Sequence, residues 1–311
     1  MYFPYLRGKQ FELIALRELS SILKEKKIIH PIIEPIKRED SGLIRAANDL
    51  SIAGIPFTII ANPKVGDVIE SNEKIIDLIN NQLNPGSVKY LGILIEDEND
   101  IHDIISIIKP STLKFTGFNL IHLRPLKDIS KLNEFDRFKI KRLNVIDFSG
   151  TNRRYDRNFD RGSVVTLSDP FNLQSKNADY SKVPDELFTS ENIDYKEDNY
   201  CGFSDYLTIG EPFSAAGFLP YAVVIHITYT DSSGFIRIRH FVSDSNEDNS
   251  DVPGKFTEAN KKLVDWLTTV SLDTVAIREF RRLYKEKHFP GLGTLKKLSI
   301  MNHIELVSSI L

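Results

Sequence analysis

The feature that most constrains this fold is a regular alternation of two kinds of segment through the first half of the chain. Short apolar runs rich in β-branched residues are each followed by a helix-length amphipathic segment. Such runs predict strands that are covered on both faces, and the helices between them predict right-handed crossovers in a parallel sheet. The predicted strands are Tyr2–Leu6, Ile29–Ile36, Phe57–Ala61, Leu91–Ile95, Phe118–Leu123 and Leu143–Ile146.

Amphipathic helices are predicted between these strands. Gly8–Lys24 has the clearest pattern, because its apolar residues recur at helical spacing. Most of the other helices begin near an Asp, Ser or Asn that can cap the first turn, and Pro110 is expected to end the helix before it. They are Ser41–Ala53, Asn72–Leu83, Asn99–Lys109 and Asp128–Phe135.

The number of strands favours a closed barrel. Ser163–Leu167 and Phe203–Ile209 supply a seventh and an eighth strand. Eight strands close a (β/α)8 barrel of roughly 250 residues, which fits within the 311 residues here. The alternative is an open doubly wound sheet, but the chain lacks a GxGxxG motif after its first strand and lacks GxxxxGK[ST]. We therefore predict the α/β class and a TIM-like barrel.

The second half of the chain adds other elements to the predicted barrel. Tyr221–Thr230 and Gly234–Val242 predict a β-hairpin, and Asn172–Tyr200 is expected to be a long polar excursion over the barrel mouth. No linker rich in Gly, Ser or Pro is present, so we predict one domain over residues 1–311 with insertions at about 151–200 and 221–255. C-terminal helices are predicted at Phe256–Val270, Leu272–Lys287 and Leu295–Ile310.

Composition excludes several classes of protein. Lys and Arg number 40 against 43 Asp and Glu, a net charge of −3, which does not suggest a nucleic-acid binder. The single cysteine, Cys201, excludes an internal disulfide and a cysteine-based zinc site. There is no apolar run of about 18 residues, and charges interrupt the opening segment where a signal peptide would be apolar. We expect a cytoplasmic protein without membrane contact.

Candidate functional residues lie where the predicted strands end, because active sites of (β/α)8 barrels form at the carboxyl ends of the strands. Cations and an amide there could hold the oxygens of a phosphorylated ligand. The ligand-binding candidates are Arg7, Lys9, Asn62 and Arg124.

Carboxylates at the same ends suggest a reaction or a metal site. Mg²⁺ or Mn²⁺ would prefer such oxygens, and one carboxylate could act as a general base, although no cofactor is required by the sequence. The catalytic candidates are Glu34, Asp147 and Asp205, and the metal candidates are Glu96 and Asp169. A purely structural explanation of these polar residues stays open. Strands commonly end in polar residues because the loops that follow are solvated.

The loop Thr151–Arg161 interleaves arginines with aromatic residues, a mixture that can grip phosphates and stack on bases. Asp156 and Asp160 neutralise part of its charge, which favours a solvated loop with local ion pairs. A nucleic-acid binder using this loop is therefore the weakest of the functional hypotheses. Its arginines are Arg153, Arg154, Arg157 and Arg161.

The opening segment Tyr2-Phe3-Pro4-Tyr5-Leu6-Arg7-Gly8-Lys9-Gln10-Phe11-Glu12 resembles the start of the bacterial "Beta protein" family. Pro31–Pro35 and Gly202–Tyr206 resemble later landmarks of that family. The resemblance implies a role in defence against phage, because members tend to occur near phage-defence and mobile-element genes. The matching positions to test are Arg7, Lys9, Glu12, Glu34 and Asp205.

Two functions from different classes follow. The first is a component of a bacterial anti-phage defence system that recognises a ligand through the barrel mouth, with a phage protein or a protein from the same defence locus as partner. The alternative is a metal-dependent phosphodiesterase or related hydrolase acting on a phosphorylated substrate at that mouth. The mixed ring of carboxylates and cations motivates the second hypothesis, and the family resemblance motivates the first.

Overall fold

The computed structural model describes residues 1–24, 28–38, 41–69, 71–84, 87–108, 114–152, 154–214 and 220–311. Within them the chain divides into two compact units. The first contains Met1–Ser168 and Asp194–Tyr206, and the second contains Asp169–Ile193 and Leu207–Leu311. This division does not decide between one domain with insertions and two domains, so the single-domain hypothesis stays a prediction.

Eleven strands are described, of which eight form the sheet of the first unit. In chain order the strands are β1 (Tyr5–Leu6), β2 (Ile32–Ile33), β3 (Phe57–Ile60), β4 (Lys89–Ile95), β5 (Gly117–His122), β6 (Lys141–Asp147), β7 (Val164–Ser168), β8 (Asp185–Thr189), β9 (Gly202–Asp205), β10 (Val224–Thr230) and β11 (Ile236–Val242).

The sheet of the first unit is a nearly closed parallel barrel. Its spatial order is β1-β2-β3-β4-β5-β6-β7-β9, and every neighbouring pair is parallel. Single parallel bridges join Tyr2 to Ile29 and to Phe203, and the Phe3 N–H donates to the Phe203 carbonyl oxygen at 2.8 Å. These bonds link the last strand to the first, which confirms the predicted (β/α)8 TIM-like barrel.

The helices agree with the predicted alternation, with one correction. Asp128–Phe135 was expected to be an α-helix, but Ile129–Phe138 forms a 3-10 helix that ends at Lys139 in a left-handed conformation. Lys109 and Pro110 lie outside the described residues. The helices are α1 (Gln10–Leu23), α2 (Ser41–Ile52), α3 (Asn72–Asn81), α4 (Glu98–Ile107), α5 (Glu191–Glu197), α6 (Val252–Trp266), α7 (Val275–Glu286) and α8 (Leu292–Ile310).

Side chains fill the interior of the barrel and make it a packed core. Successive side chains along a strand point to opposite faces of the sheet, so alternate residues line the interior. The buried apolar cluster there consists of Phe3, Tyr5, Ile32, Ile60, Leu94, Ile121, Leu143, Val145, Val165, Leu167 and Tyr206.

The second unit contains a three-stranded antiparallel sheet of order β10-β11-β8. The predicted hairpin is confirmed, because β10 and β11 pair along their whole length and Gly234 takes a positive φ of 82° in the connecting turn. The segment Asn172–Tyr200 was expected to be a polar loop, but it contains strand β8 and helix α5. Its charge misled the prediction, since Asp185 of β8 pairs with Arg237 of β11 at 2.7 Å.

Three helices at the C-terminal end were predicted, and α6, α7 and α8 occupy these positions with shifted ends. Helix α7 ends at Glu286, and its C-cap residue Lys287 adopts a positive φ of 52°, three residues before the predicted break at Pro290. In the described part of the chain, no helix is both long enough and apolar enough to cross a membrane.

Candidate ligand site at the barrel mouth

The barrel mouth is defined here as the carboxyl ends of the barrel strands in the first unit. Tyr5, Ile32, Ile60, Leu94 and Val145 belong to the interior cluster. The residue two positions after each of them therefore shares the inward-facing side of the pleat. These residues are Arg7, Glu34, Asn62, Glu96 and Asp147, so the fold brings together most of the residues that the sequence predicted for the mouth.

Arg7 and Glu34 form the buried centre of this mouth. The Arg7 Nε donates to Glu34 Oε2 at 3.1 Å, and the two side chains are 13% and 2% exposed. Glu34 Oε2 also accepts from the Tyr5 hydroxyl at 2.8 Å, and Glu34 Oε1 accepts from the Lys64 backbone N–H at 2.9 Å. The carboxylate is thus held by three donors, two from the end of β1 and one from the segment after β3.

Aromatic rings frame the Arg7 guanidinium. Its central carbon lies 5.3 Å from the ring centre of Tyr206 and 5.8 Å from that of Tyr5, within the range of cation–π attraction. Burial opposes the charge of Arg7, but Tyr5, Glu34 and Tyr206 outweigh it and raise the pKa of the guanidinium. Burial, Glu34 and Tyr206 also raise the pKa of Tyr5 well above its usual range, so its hydroxyl stays protonated.

Asn62 has a structural role at the same mouth. Its Nδ2 donates to the Leu94 carbonyl oxygen at 2.8 Å, and its Oδ1 accepts from the Leu94 N–H at 2.9 Å. The side chain therefore continues the pairing of β3 with β4 beyond the end of β3. Both ends of its amide are used within the protein, which limits what Asn62 can offer to a ligand.

The acidic residues nearest to the solvent are also partnered. Glu96 pairs with Lys64 Nζ at 3.4 Å, and the same ammonium lies 2.6 Å from Asp100. Asp147 accepts from the backbone N–H of Ser149 at 2.8 Å and from its hydroxyl at 2.7 Å, which stabilises the turn after β6.

Three other predicted residues lie at or just after strand ends of the first unit but are not among these inward-facing positions. Asp205 adjoins the interior residue Tyr206, so it faces the outer side of the sheet, where it accepts from the Tyr2 hydroxyl at 2.8 Å. Arg124 is exposed, one residue after the inward-facing Leu123. Lys9 is the N-cap residue of α1. These placements leave Asp205 and Arg124 off the inner face, because a shift of one residue reverses the direction of a side chain.

Asp169 belongs to the second unit. Its carboxylate accepts from the backbone N–H of Phe171 at 3.2 Å and of Glu211 at 2.8 Å. Across the described ranges, no group of three or more His, Cys, Asp or Glu side chains is arranged to hold a metal ion. The assignment of Glu96 and Asp169 to a metal, and with it the hydrolase alternative, stays a prediction.

The aromatic residues of the arginine-rich loop are used for packing. Tyr155 is buried, and its hydroxyl lies 3.0 Å from Nδ1 of His122. His122 Nε2 lies 3.3 Å from Asn144 Oδ1, and burial lowers the pKa of His122 to about 4. Arg154, Arg157 and Arg161 are exposed, and Arg153 lies outside the described residues. The loop is therefore anchored by its aromatic side chains.

A polar cluster inside the barrel was missed by the sequence reading. Thr58 Oγ1 lies 2.8 Å from His30 Nε2 and accepts from Asn119 Nδ2 at 2.6 Å, and all three residues are buried. Burial is the main cause that lowers the pKa of His30 to about 3. The signal available in the sequence was a polar residue inside each of the three apolar runs that contain His30, Thr58 and Asn119.

A scan of family models and searches of curated proteins and of solved structures found no match to this chain.

Proposed function

We propose that this protein is the ligand-recognition component of a bacterial anti-phage defence system, and that Arg7 at the barrel mouth binds an anionic group of the ligand. The observation that carries the binding proposal is the fixed orientation of Arg7. Glu34 holds its Nε, and the rings of Tyr5 and Tyr206 lie beside its guanidinium.

A guanidinium that is oriented before binding loses little side-chain entropy when a ligand arrives. Its planar fork matches the oxygens of a phosphate or carboxylate, and two parallel hydrogen bonds are stronger and more selective than one. Lys64 adds a second cation within the same mouth, paired with Glu96 and Asp100. We expect a phosphorylated ligand, because its several oxygens can accept hydrogen bonds from more than one cation.

The experiment is a thermal-shift series with inorganic phosphate and with nucleoside mono- and diphosphates. A ligand that binds only the folded protein stabilises it by about 2.7 kcal/mol at a hundredfold excess over its Kd. We expect Arg7→Lys to remove the shift, because lysine keeps the charge but loses the fork. Arg142→Lys is the matched control, since Arg142 lies near the opposite end of the barrel, at the start of β6. A shift that persists in Arg7→Lys, or no shift with any anion, would contradict the binding proposal.

The defence role depends on the resemblance of the opening segment and needs its own test. The gene and its neighbours are expressed in a phage-sensitive host, and plaques are counted for the wild type, Arg7→Lys and Arg142→Lys. We expect protection from the wild type and the control, and loss of protection with Arg7→Lys. Equal plaque numbers with and without the wild-type genes would contradict the defence role without affecting the binding result.

A further inference from the structure

The second unit contains a cavity of about 310 Å³. Apolar side chains form most of its wall, among them Phe171, Val223 and Leu295. The polar residues His226 and Thr208 line the same wall. A concave, mostly apolar site with a few polar groups is the usual form of a small-molecule pocket, and this volume lies at the lower end of the usual range.

His226 is part of a chain of three polar side chains. His226 and His240 face each other across β10 and β11, and their Nδ1 atoms are 2.7 Å apart. On the far side, His240 Nε2 lies 3.2 Å from Glu186 Oε1, and the His240 side chain is fully buried. Tyr180 packs against both imidazoles, with ring centres 4.7 Å and 4.6 Å away.

These contacts determine where the protons lie. An ionised Glu186 can only accept, so His240 Nε2 carries a proton and donates it. A neutral His240 then has a lone pair on Nδ1, and the 2.7 Å contact requires His226 to donate its own Nδ1–H. His226 is left with a lone pair on Nε2, and no hydrogen bond joins that atom to another described residue.

Both imidazoles are held in the neutral form. Burial is the main cause that lowers the pKa of His226 well below its usual range, and His240 and Lys296 lower it further. Burial also lowers the pKa of His240, against the opposing effect of Glu186 and Asp185. The acceptor at His226 Nε2 is therefore available at neutral pH.

Thr208 supplies an independent sign of a missing partner. It is 5% exposed and lines the cavity, and its Oγ1 has no hydrogen-bond partner within the described residues. An unsatisfied buried hydroxyl costs about 1–3 kcal/mol, so each one needs a physical explanation, such as a bound water.

We propose that this cavity binds a small molecule with an apolar body, a hydroxyl or N–H donor for His226 Nε2, and an anionic group. Lys296 receives the anionic group, since it lines the cavity and is exposed to solvent. The apolar walls enclose the body. All of these residues lie in the second unit, so the proposal does not depend on the barrel mouth.

The first test is the protonation of His226, measured by long-range ¹H–¹⁵N NMR of the histidine rings at pH 7. The hydrogen-bond chain requires the Nδ1–H form, which is the minor tautomer of unconstrained histidine. We expect an Nδ1-protonated His226 beside an Nε2-protonated His240. A His226 that carries its proton on Nε2, or a charged His226, would overturn the proposed acceptor.

The second test compares the affinities of 4-hydroxybenzoate, benzoate and phenol by calorimetry. We expect 4-hydroxybenzoate to bind tightest, and loss of either polar group to weaken binding about fivefold to tenfold, the size of one hydrogen bond. His226→Asn keeps a donor towards His240 but removes Nε2, so it should abolish the effect of the hydroxyl. Lys296→Met should abolish the effect of the carboxylate, while Lys297→Met on the same helix should not.

Folding of each variant is checked by the fluorescence of Trp266, which packs on Tyr229 and Phe241 of the same sheet. Absence of binding at millimolar concentration, or equal affinity for all three probes, would overturn the proposal. Equal losses in Lys296→Met and Lys297→Met would remove the assignment of the anionic group to Lys296.

Discussion

His30 should make the barrel sensitive to acid. Its imidazole is fully buried, and burial lowers its pKa from 6.5 to about 3. At pH 5 the protonated form of His30 exceeds the neutral form about thirtyfold in the unfolded chain, whereas His30 in the folded protein stays neutral. A thirtyfold preference corresponds to about 2 kcal/mol. Above pH 6.5 the burial of neutral His30 does not reduce the free energy of unfolding through protonation. As the pH falls from 6.5 towards 3, protonation of the unfolded chain progressively lowers the free energy of unfolding.

The assay is urea denaturation at pH 8 and pH 5, followed by hydrogen-exchange mass spectrometry of peptides from β2 and β3. His30→Gln keeps an amide near Thr58 but has no titratable group at this position. Its free energy of unfolding should therefore fall by about 2 kcal/mol less than that of the wild type between pH 8 and pH 5. His102→Gln is the matched control, because His102 is exposed on α4. An equal pH-dependent loss in wild type and His30→Gln would refute this reasoning.

Three further predictions concern the barrel mouth and are measured by urea denaturation. Arg7→Met and Glu34→Gln should each lower the free energy of unfolding by about 2–4 kcal/mol. The double variant should lose less than the sum of the two single losses, because it leaves no buried charge without a partner, and additive losses would contradict this. Asn62→Ala should cost about 2–3 kcal/mol by leaving the buried N–H and carbonyl of Leu94 unsatisfied, and a cost near zero would show that water replaces the amide. Gly66→Ala should lower the free energy of unfolding by about 1–3 kcal/mol, because the φ of Gly66 is +81° and an added Cβ would lie 2.4 Å from the Ile36 carbonyl oxygen. An unchanged midpoint of urea denaturation would contradict this.

Much of the barrel could be predicted because its signals are local. A run such as Leu91–Ile95 is apolar throughout, which identifies a strand covered on both faces without knowledge of its neighbours. The hairpin could be predicted for the same reason, since its turn residues lie between two β-rich runs. Strand β8 was missed because its acidic residue Asp185 finds its partner Arg237 only after β11 is placed beside β8.

The mouth could be predicted in part. Arg7, Glu34 and Asn62 follow their strands at positions that share a face with the interior cluster, and reading the strand ends found them. Asp205 and Arg124 lie off the inner face because each is one residue away from an inward-facing position, and their functional roles stay predictions. The side-chain direction reverses at every residue of a strand, so a boundary error of one residue changes the face.

Local residue patterns encoded the order of strands and helices, and therefore the barrel, because the periodicity of apolar residues depends only on near neighbours. The pairing of polar groups was decided by tertiary structure. Arg7 and Glu34 lie 27 positions apart, and His226 and His240 are single histidines 14 positions apart that meet through the register of a hairpin. Hydrogen bonds act over about 3 Å, so only the folded chain shows which donors and acceptors meet.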